Sequence, residues 1–377
     1  MDEIMAIYNE FGPEKQIEVY DPKTGLHGFL VIDNTMHGPG KGGLRIAEGV
    51  SMEEVFRLAQ AMTYKCTMAN LPFGGAKSGL LVPKSVPKAD AVKWFANQIK
   101  MFIPEHYVAG PDMSTGEKEM DIITEAVGIP DAATGKSLKN GGLPHELGST
   151  GYGVAWSLLS TLEHLKKDPK GTGVAIEGFG NVGVFTAKFL SEYGVKIAAV
   201  SDSKGTIYNK KGIDVEKLIS VKEKTGAVAN YDDCQKLETK DLFSLDVDVL
   251  IPGARPDSIN ENNFHLVKAD IIIEAGNIPM SESLEEGFFR KGILAIPDFV
   301  ANAGGVISSW VEYENSKSLR DSYDKKPTPR NVIEKMFREV KTRVSENTIL
   351  ALEKSEKEHI SVRKAAMEIV RERLHLE

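Results

Sequence analysis

Val174-Ala175-Ile176-Glu177-Gly178-Phe179-Gly180-Asn181-Val182-Gly183 decides the fold of this chain. An apolar run ends in a glycine-rich turn, and Val184 to Tyr193 continues in a helical pattern. The next apolar run, Ile197-Ala198-Ala199-Val200, ends at an acid, Asp202, about 20 residues downstream. Strand, Gly-x-Gly-x-x-Gly, helix and a later acid together form the arrangement that binds a dinucleotide. Glycine at 178, 180 and 183 permits the tight turn and lets a pyrophosphate reach the helix N-terminus, beside Asn181 and Val182. Unpaired N–H groups and the helix dipole favour an anion there. Asp202 is placed to accept the adenosine ribose hydroxyls. An acid at this point repels a 2′-phosphate and favours NAD, yet Ser203 and Lys204 follow directly and offer partners for that phosphate, so NADP stays open.

Outward from this motif, strand and helix signals alternate from about Gly151 to Asp298, as in a parallel sheet with helices on its faces. Further strand candidates are Val247-Asp248-Val249-Leu250-Ile251, Ile271-Ile272-Ile273 and Ile293-Leu294-Ala295-Ile296. Charged helical sequence runs from Asn331 to the end, and the nearest thing to a linker is Asp324 to Pro329. A length of 377 residues suits two domains, each able to bury its own core.

The net charge of −8, with both signs spread along the chain, lacks the basic field that a nucleic acid requires. No apolar run approaches the roughly 20 residues of a membrane helix, and Met1-Asp2-Glu3-Ile4 opens no cationic leader, so a cytoplasmic protein is expected. Cys66 and Cys234 stand far apart without metal-ligand neighbours, and the eight histidines are scattered. Neither a disulfide nor a metal site is expected.

The first half is dense in glycine and β-formers. Phe29-Leu30-Val31-Ile32 reads as a strand and His37 to Gly43 as a loop. Ser51 to Ala69 turns helical, with Val55, Leu58, Met62 and Cys66 on one stripe and the cation Lys65 on or beside it. Leu71 to Gly79 reads as a second glycine-rich turn, with Lys77 inside it, leading into the strand Leu80-Leu81-Val82. Asp112 lies just before Ser114-Thr115-Gly116-Glu117, a capping box that opens a helix through Met120 and Ile123.

Gly38-Pro39-Gly40-Lys41-Gly42-Gly43-Leu44-Arg45, Met62-Thr63-Tyr64-Lys65, Pro72-Phe73-Gly74-Gly75-Ala76-Lys77, Gly110-Pro111-Asp112-Met113, Thr150-Gly151-Tyr152-Gly153 and Asn302-Ala303-Gly304-Gly305-Val306 occur in one order over nearly the whole chain. In this the sequence resembles the glutamate/leucine/phenylalanine/valine dehydrogenase family, most closely its glutamate-specific members. The resemblance implies an α/β protein of two domains with the active-site cleft between them. One is a substrate-binding and oligomerisation domain, 1–147 with 326–377; the other is a Rossmann NAD(P)-binding domain, 148–325. It implies oxidative deamination of an L-amino acid to a 2-oxo acid and ammonia, in a homo-oligomer, most often a hexamer. Lys77 matches the catalytic lysine and Asp112 the proton-transferring aspartate, while Lys65 matches the binder of the substrate α-carboxylate. Lys41 and Ser309 match the pair that holds a side-chain carboxylate. Thr150, Asn277 and Asn302 fall where the family contacts the coenzyme.

Physical chemistry supports these roles. Deamination needs a cation to polarise a carbonyl or carbinolamine oxygen and a separate group to move protons to nitrogen. Were the three lysines to converge, repulsion and desolvation would lower the pKa of Lys77, with Asp112 partly opposing. A buried ammonium at Lys41 is paired by glutamate and stranded by leucine, valine or phenylalanine, which points to L-glutamate, 2-oxoglutarate and ammonium as substrates. Departures from the glutamate-specific pattern are a shorter chain, Gly110 where alanine is common, His145-Glu146-Leu147-Gly148 before the Thr-Gly motif, and Arg255 after a strand end. The alternatives are a leucine-, valine- or phenylalanine-type enzyme, a 2-hydroxy acid dehydrogenase, which would show no ammonium dependence, and a catalytically silent dinucleotide sensor, indifferent to loss of Lys77.

Overall fold

The computed structural model describes residues 8–144, 147–321 and 330–376. Contacts divide the chain into two units. The first comprises Met1–Leu147, Val306–Arg338 and Val370–Glu377, and the second Gly148–Gly305 and Glu339–Ile369.

The first unit is built on five strands, β1 (Lys15–Tyr20), β2 (His27–Asn34), β3 (Gly40–Ile46), β4 (Gly74–Leu81) and β5 (Tyr107–Pro111), in the order β1-β2-β4-β3-β5. β2 pairs antiparallel with β1 and β4, whereas β3 runs parallel to β4 and β5. Strand alternation divides the core between the two faces. Leu30, Ile32, Leu44, Ala76, Leu80 and Tyr107 join the helices α2 (Lys88–Ile99) and α3 (Glu117–Val127) in one cluster. Phe29 and Val31 pack on the opposite face with Val55, Phe56 and Ala59 of α1 (Met52–Met68). Ser51 caps α1 by accepting from the Glu54 N–H, and at α3 the Glu119 carboxylate accepts from the Gly116 N–H at 2.8 Å.

Two expectations are corrected here. Gly40–Gly43 and Gly74–Gly79 are strand residues, not loop and turn. Their glycines serve close approach of backbones rather than chain reversal. A β-carbon on Gly75 would sit 2.2 Å from the Thr63 nitrogen of α1, and one on Gly42 would sit 1.6 Å from the Ala76 carbonyl oxygen.

The second unit carries seven strands, β6 (Gly173–Glu177), β7 (Lys196–Asp202), β8 (Gly205–Tyr208), β9 (Gln235–Leu237), β10 (Val249–Ile251), β11 (Ile271–Ile273) and β12 (Leu294–Ile296), ordered β12-β11-β10-β6-β7-β8-β9. Every strand expected from the alternating pattern is present, and these five are parallel. β8 and β9 extend the sheet antiparallel and were not foreseen. Its helices include α4 (Ser149–His164), α5 (Asn181–Glu192), α6 (Val215–Thr225), α7 (Glu282–Arg290) and α8 (Asp298–Ala301).

Three C-terminal helices follow, α9 (Gly304–Asp321), α10 (Arg330–Glu358) and α11 (Val362–Arg373). The expected assignment of 326–377 to the first domain differs from the contacts, because residues 339–369 are held by the second unit. Lys341 Nζ lies 3.9 Å from the Trp156 ring centroid, Thr348 bonds Ser157, and Glu356 bonds His164. The expected linker 324–329, with the 325/326 boundary, and His145 and Glu146 lie outside the described residues. Among the described residues no helix is long and apolar enough to cross a membrane.

Since the Ala76 oxygen belongs to the strand ladder and cannot retreat, Gly42→Ala is expected to cost about 3 kcal/mol through overpacking. A domain of this size would then lose roughly 6–12 °C in its thermal midpoint. Calorimetry showing an unchanged midpoint would refute the close-approach account of these glycines.

Candidate active site

Register places the polar residues of the first unit together. Lys41 pairs with Gly75 and Leu44 with Ser78, an offset that sets Gly43 beside Lys77; on the other side Gly43 pairs with Gly110. With a period of two, Lys41, Gly43 and Arg45 of β3 share a face with Gly75, Lys77 and Gly79 of β4, and with Gly110 and then Asp112. This is the α1 face, since Val31 lies beside Lys77 and Gly79 approaches Val50 and Val55. Glycines vacate the face and long polar side chains occupy it.

Lys77 is 6% exposed, and its Nζ lies 3.2 Å from Oδ1 of Asp112. Oδ2 of the same carboxylate accepts from Arg45 Nε at 2.8 Å, while Arg45 Nη1 reaches Glu54. Thr115 fixes the backbone below: its Oγ1 accepts from the Asp112 N–H at 2.9 Å and donates to the Leu44 carbonyl at 2.8 Å. Burial pulls the Lys77 pKa below the usual lysine range; Asp112 opposes this without cancelling it, and Arg45 and Lys65 add repulsion. Burial alone would raise the Asp112 carboxyl, but Lys77 and Arg45 outweigh it and hold the group below its ordinary value. The result is an ionised carboxylate beside an amine that gives up its proton readily.

Lys41 is 3% exposed. Its ammonium donates to the carbonyls of Ala109 at 2.8 Å and Val108 at 3.4 Å, and burial takes its pKa down to about 7, with Glu312 opposing. Gly110 makes this resting place available, because a β-carbon there would stand 2.5 Å from Nζ. Lys65 is half-buried in the last turn of α1, and Ser309 is half-buried on α9 within the same unit.

Arg45, Glu54 and Glu312 were given no role by the sequence reading. Arg45 had a signal, an alternate-residue spacing from Lys41 on one strand face. Glu312 lies on α9 one turn beyond Ser309 and accepts from the Gly135 and Leu143 N–H groups at 2.9 and 3.0 Å. Nothing local in the sequence marks those long-range bonds.

In the second unit the glycine turn divides its labour. Gly178 has φ 89°, and a β-carbon there would meet Ala254; one on Gly183 would sit 2.0 Å from the Gly178 carbonyl oxygen. A β-carbon on Gly180 meets nothing within 4 Å. Gly180 and Asn181 are exposed at the start of α5, and Gly180 brings no side chain to cap the helix, so its first N–H groups face an open approach. Val182 is half-buried in the first turn. Buried Glu177, another residue without an expected role, accepts from the Gly253 and Ala254 N–H groups at 3.2 Å and fixes the neighbouring turn. This open, uncapped, glycine-floored helix start fits a pyrophosphate.

Asp202 is engaged within its own unit. Oδ1 accepts from the Lys204 N–H at 2.8 Å, and Oδ2 accepts from the Val228 N–H at 2.9 Å and from Lys222 Nζ. Asn302 donates through Nδ2 to the Gly276 carbonyl at 2.9 Å and to Oδ1 of Asn277 at 3.3 Å, bringing these two residues together. Thr150 lies in the first turn of α4, where its Oγ1 would be 2.8 Å from a β-carbon on Gly305. Arg255 is exposed.

Comparison with known proteins agrees with this geometry. Residues 141–375 match the family model described as glutamate/leucine/phenylalanine/valine dehydrogenase, and residues 13–128 match the dimerisation domain of the same family. A glutamate dehydrogenase from Aeropyrum pernix is 38% identical over 301 residues, 77% of this chain and 72% of that one. An NADP-specific glutamate dehydrogenase from Saccharolobus shibatae is 39% identical over 324 residues, 81% and 77% of the two chains. Among solved structures, the hetero-hexameric glutamate dehydrogenase of Thermus thermophilus, in a leucine-bound form, superposes with a TM-score of 0.82 at 26% identity, covering 96% of this chain and 88% of its own. With both family models matched along the chain and a Lys77–Asp112 pair buried on a glycine-cleared sheet face, this protein belongs to the glutamate/leucine/phenylalanine/valine dehydrogenase family of amino acid dehydrogenases.

Proposed function

We propose that this chain catalyses the reversible oxidative deamination of L-glutamate to 2-oxoglutarate and ammonia, with NADP as the preferred coenzyme. The observation that carries the substrate is Lys41, a buried amine on the same sheet face as Lys77 whose hydrogen-bond partners are two neutral carbonyls. A substrate carboxylate supplies the counter-charge those carbonyls lack; an aliphatic side chain strands the ammonium. Relatives named glutamate dehydrogenase at 38 and 39% identity support the same reading.

In this scheme Lys65 takes the α-carboxylate, and Lys41 with Ser309 takes the side-chain carboxylate. Asp112, kept ionised by Lys77 and Arg45, accepts a proton from the α-ammonium so that the nitrogen lone pair is available. The bound coenzyme supplies a hydride acceptor for the α-hydrogen. Lys77 in its amine form removes a proton from the water that adds to the imine carbon, and as the ammonium it stabilises the carbinolamine oxygen. Asp112 returns its proton to nitrogen and then takes the carbinolamine hydroxyl proton as the C–N bond breaks, so that ammonia and the 2-oxo acid leave; that proton and the one held by Lys77 pass to ammonia and to solvent, restoring the carboxylate and the amine.

Thr150, Gly178, Gly180, Asn181, Val182, Gly183, Asn277 and Asn302 would hold the coenzyme. The preference for NADP rests on Asp202. With both oxygens bonded inside the unit, it is a poor acceptor for ribose hydroxyls, and Lys222 beside it and the exposed Lys204 supply positive charge for a 2′-phosphate. The NADP-specific relative agrees with this preference. Assembly as a homohexamer through the first unit completes the reading: the match to a dimerisation domain supports pairing through that unit, and the hetero-hexameric relative supports six subunits without bearing on their identity.

Initial rates with glutamate and leucine, each with NAD and NADP, test the reading. Glutamate with NADP should be fastest, and Lys77→Ala should lower kcat by roughly 10³-fold. Leucine turning over faster than glutamate, or full activity without Lys77, would overturn it.

The amine of Lys41 carries a sign. Its folded pKa of about 7 lies below the ordinary value, so the ammonium is present below pH 7 and is lost as pH rises through it. Chemistry common to all amino acids cancels in a ratio of substrates. The kcat/KM of glutamate relative to norvaline should therefore fall by roughly tenfold between pH 6 and 8. A flat ratio would remove Lys41 from the side-chain pocket.

The glycine turn separates coenzyme from packing. Gly180→Ala should leave the thermal midpoint unchanged and raise the coenzyme KM about tenfold, whereas Gly183→Ala should destabilise the fold. Equal coenzyme KM in Gly180→Ala and the parent would reduce the turn to a packing device.

A further inference from the structure

Away from the glycine turn, three buried carboxylates meet one half-buried arginine in the second unit. They are Glu274 at the end of β11, Glu285 on α7, Asp298 at the start of α8 and Arg363 on α11. Arg363 Nε donates to Glu285 Oε1 at 2.6 Å, and its Nη2 lies 3.5 Å from Asp298 Oδ1 and 3.9 Å from Glu274 Oε2. The backbone N–H of Asp298 donates to Glu274 Oε2 at 3.1 Å. Three carboxylates share one guanidinium. Burial and the repulsion of Glu285 push Glu274 well above the usual range, and burial takes Glu285 up to about 7. Such a cluster is a costly way to stabilise a fold, since apolar residues of equal volume serve as well or better.

What the cluster holds explains it. Oδ2 of Asp298 accepts from the N–H of Ile278 at 2.9 Å. Ile278 has φ 49°, in the left-handed region where a β-branched side chain is strained, and Pro279 follows it, restricting that backbone further. A residue held this way costs roughly 1–3 kcal/mol and persists only if its surroundings impose it. The turn it closes is Ala275-Gly276-Asn277, to which Asn302 is also bonded.

We propose that Arg363 is a positioning residue for coenzyme binding: from α11 it fixes Asp298, which clamps the strained Ile278 turn and so presents Asn277 and Asn302 in their binding arrangement. The inference rests on the reading that this turn contacts the coenzyme. It gives the C-terminal helix a part in coenzyme affinity that acts through Asp298 and asks no coenzyme contact of the helix itself. Glu285 is the counter-charge that keeps Arg363 in place, and Glu274 orients the Asp298 backbone.

The test is a double variant, Arg363→Met with Glu285→Gln, which removes the cation together with its principal partner and so leaves the formal charge of the cluster unchanged. Released strain of this size corresponds to about a tenfold change in equilibrium. The KM for NADP and the Kd for NADPH from its fluorescence should therefore rise about tenfold, with kcat at saturating coenzyme and the KM for glutamate within about twofold of the parent. Adding Ile278→Gly, which makes the left-handed conformation free of strain, should restore coenzyme affinity to within about threefold. Arg363→Lys keeps the charge but loses the planar fork; it should show the same rise and the same rescue, and it serves if the double variant does not fold. Unchanged coenzyme affinity in a folded variant, or a loss that Ile278→Gly does not repair, overturns the inference. A parent protein that binds neither NADPH nor NADH overturns the functional reading and this inference together, whereas parent binding with unaltered variants sinks this inference alone.

Discussion

An amine inserted between a sheet and the helix packed on it must find a counter-charge or lose its proton, and in the first unit both happen. Lys77 has Asp112 at 3.2 Å; Lys41 hydrogen-bonds the neutral carbonyls of Ala109 and Val108 and has a pKa of about 7, burial outweighing the more distant Glu312. The architecture around them follows from making that insertion possible. Glycines at 43, 75, 79 and 110 leave space for the side chains between them, and the approach of α1 to within a β-carbon's reach of Gly75 closes the layer over them. Water is thereby kept from the two amines, and desolvation becomes the largest influence on each.

Arg45 decides how the pair titrates. Without a second cation, a carboxylate as buried as Asp112 would drift upward and compete with Lys77 for the proton. Arg45 does not lose its charge and donates to the oxygen that Lys77 leaves, so the carboxylate is held at both oxygens and the shared proton stays on nitrogen. Glu54 in turn balances Arg45. The charge balance of the Lys77–Asp112 pair is a property of four side chains from β3, β4, α1 and the end of β5, not of two.

How much of this could be read from the sequence depends on the range of the interactions. The parallel strands of the second unit follow from short apolar runs, because a strand buried on both faces must be apolar throughout. The dinucleotide turn follows from a local steric requirement. β3 and the first part of β4 were misread because glycine density signals a turn when the chain reverses and close backbone approach when another element lies over it, and composition does not separate the two. The unused signal was period-two spacing: Lys41-x-Gly43-x-Arg45, Gly75-x-Lys77-x-Gly79 and Gly110-x-Asp112 each repeat every second residue. The antiparallel β8 and β9 are short and half-polar, and Glu312 makes bonds some 170 residues upstream, 177 positions to Gly135 and 169 to Leu143, beyond the reach of any local pattern.

Three buried acids, one in the first unit and two in the second, follow one rule. Glu312 accepts from the N–H groups of Gly135 and Leu143, Glu177 from those of Gly253 and Ala254, and Asp298 from that of Ile278. Each is a carboxylate on a regular element that fixes an irregular one through backbone donors. A side chain bonded to backbone is indifferent to the identity of the loop residues, which leaves the loop sequence free to serve a ligand while its shape is set from outside. This makes the loops rigid in form and variable in chemistry. It also shows why these acids carry no signature of their task in the sequence: each holds a segment far away along the chain, and that task is specified by distance in space rather than by spacing.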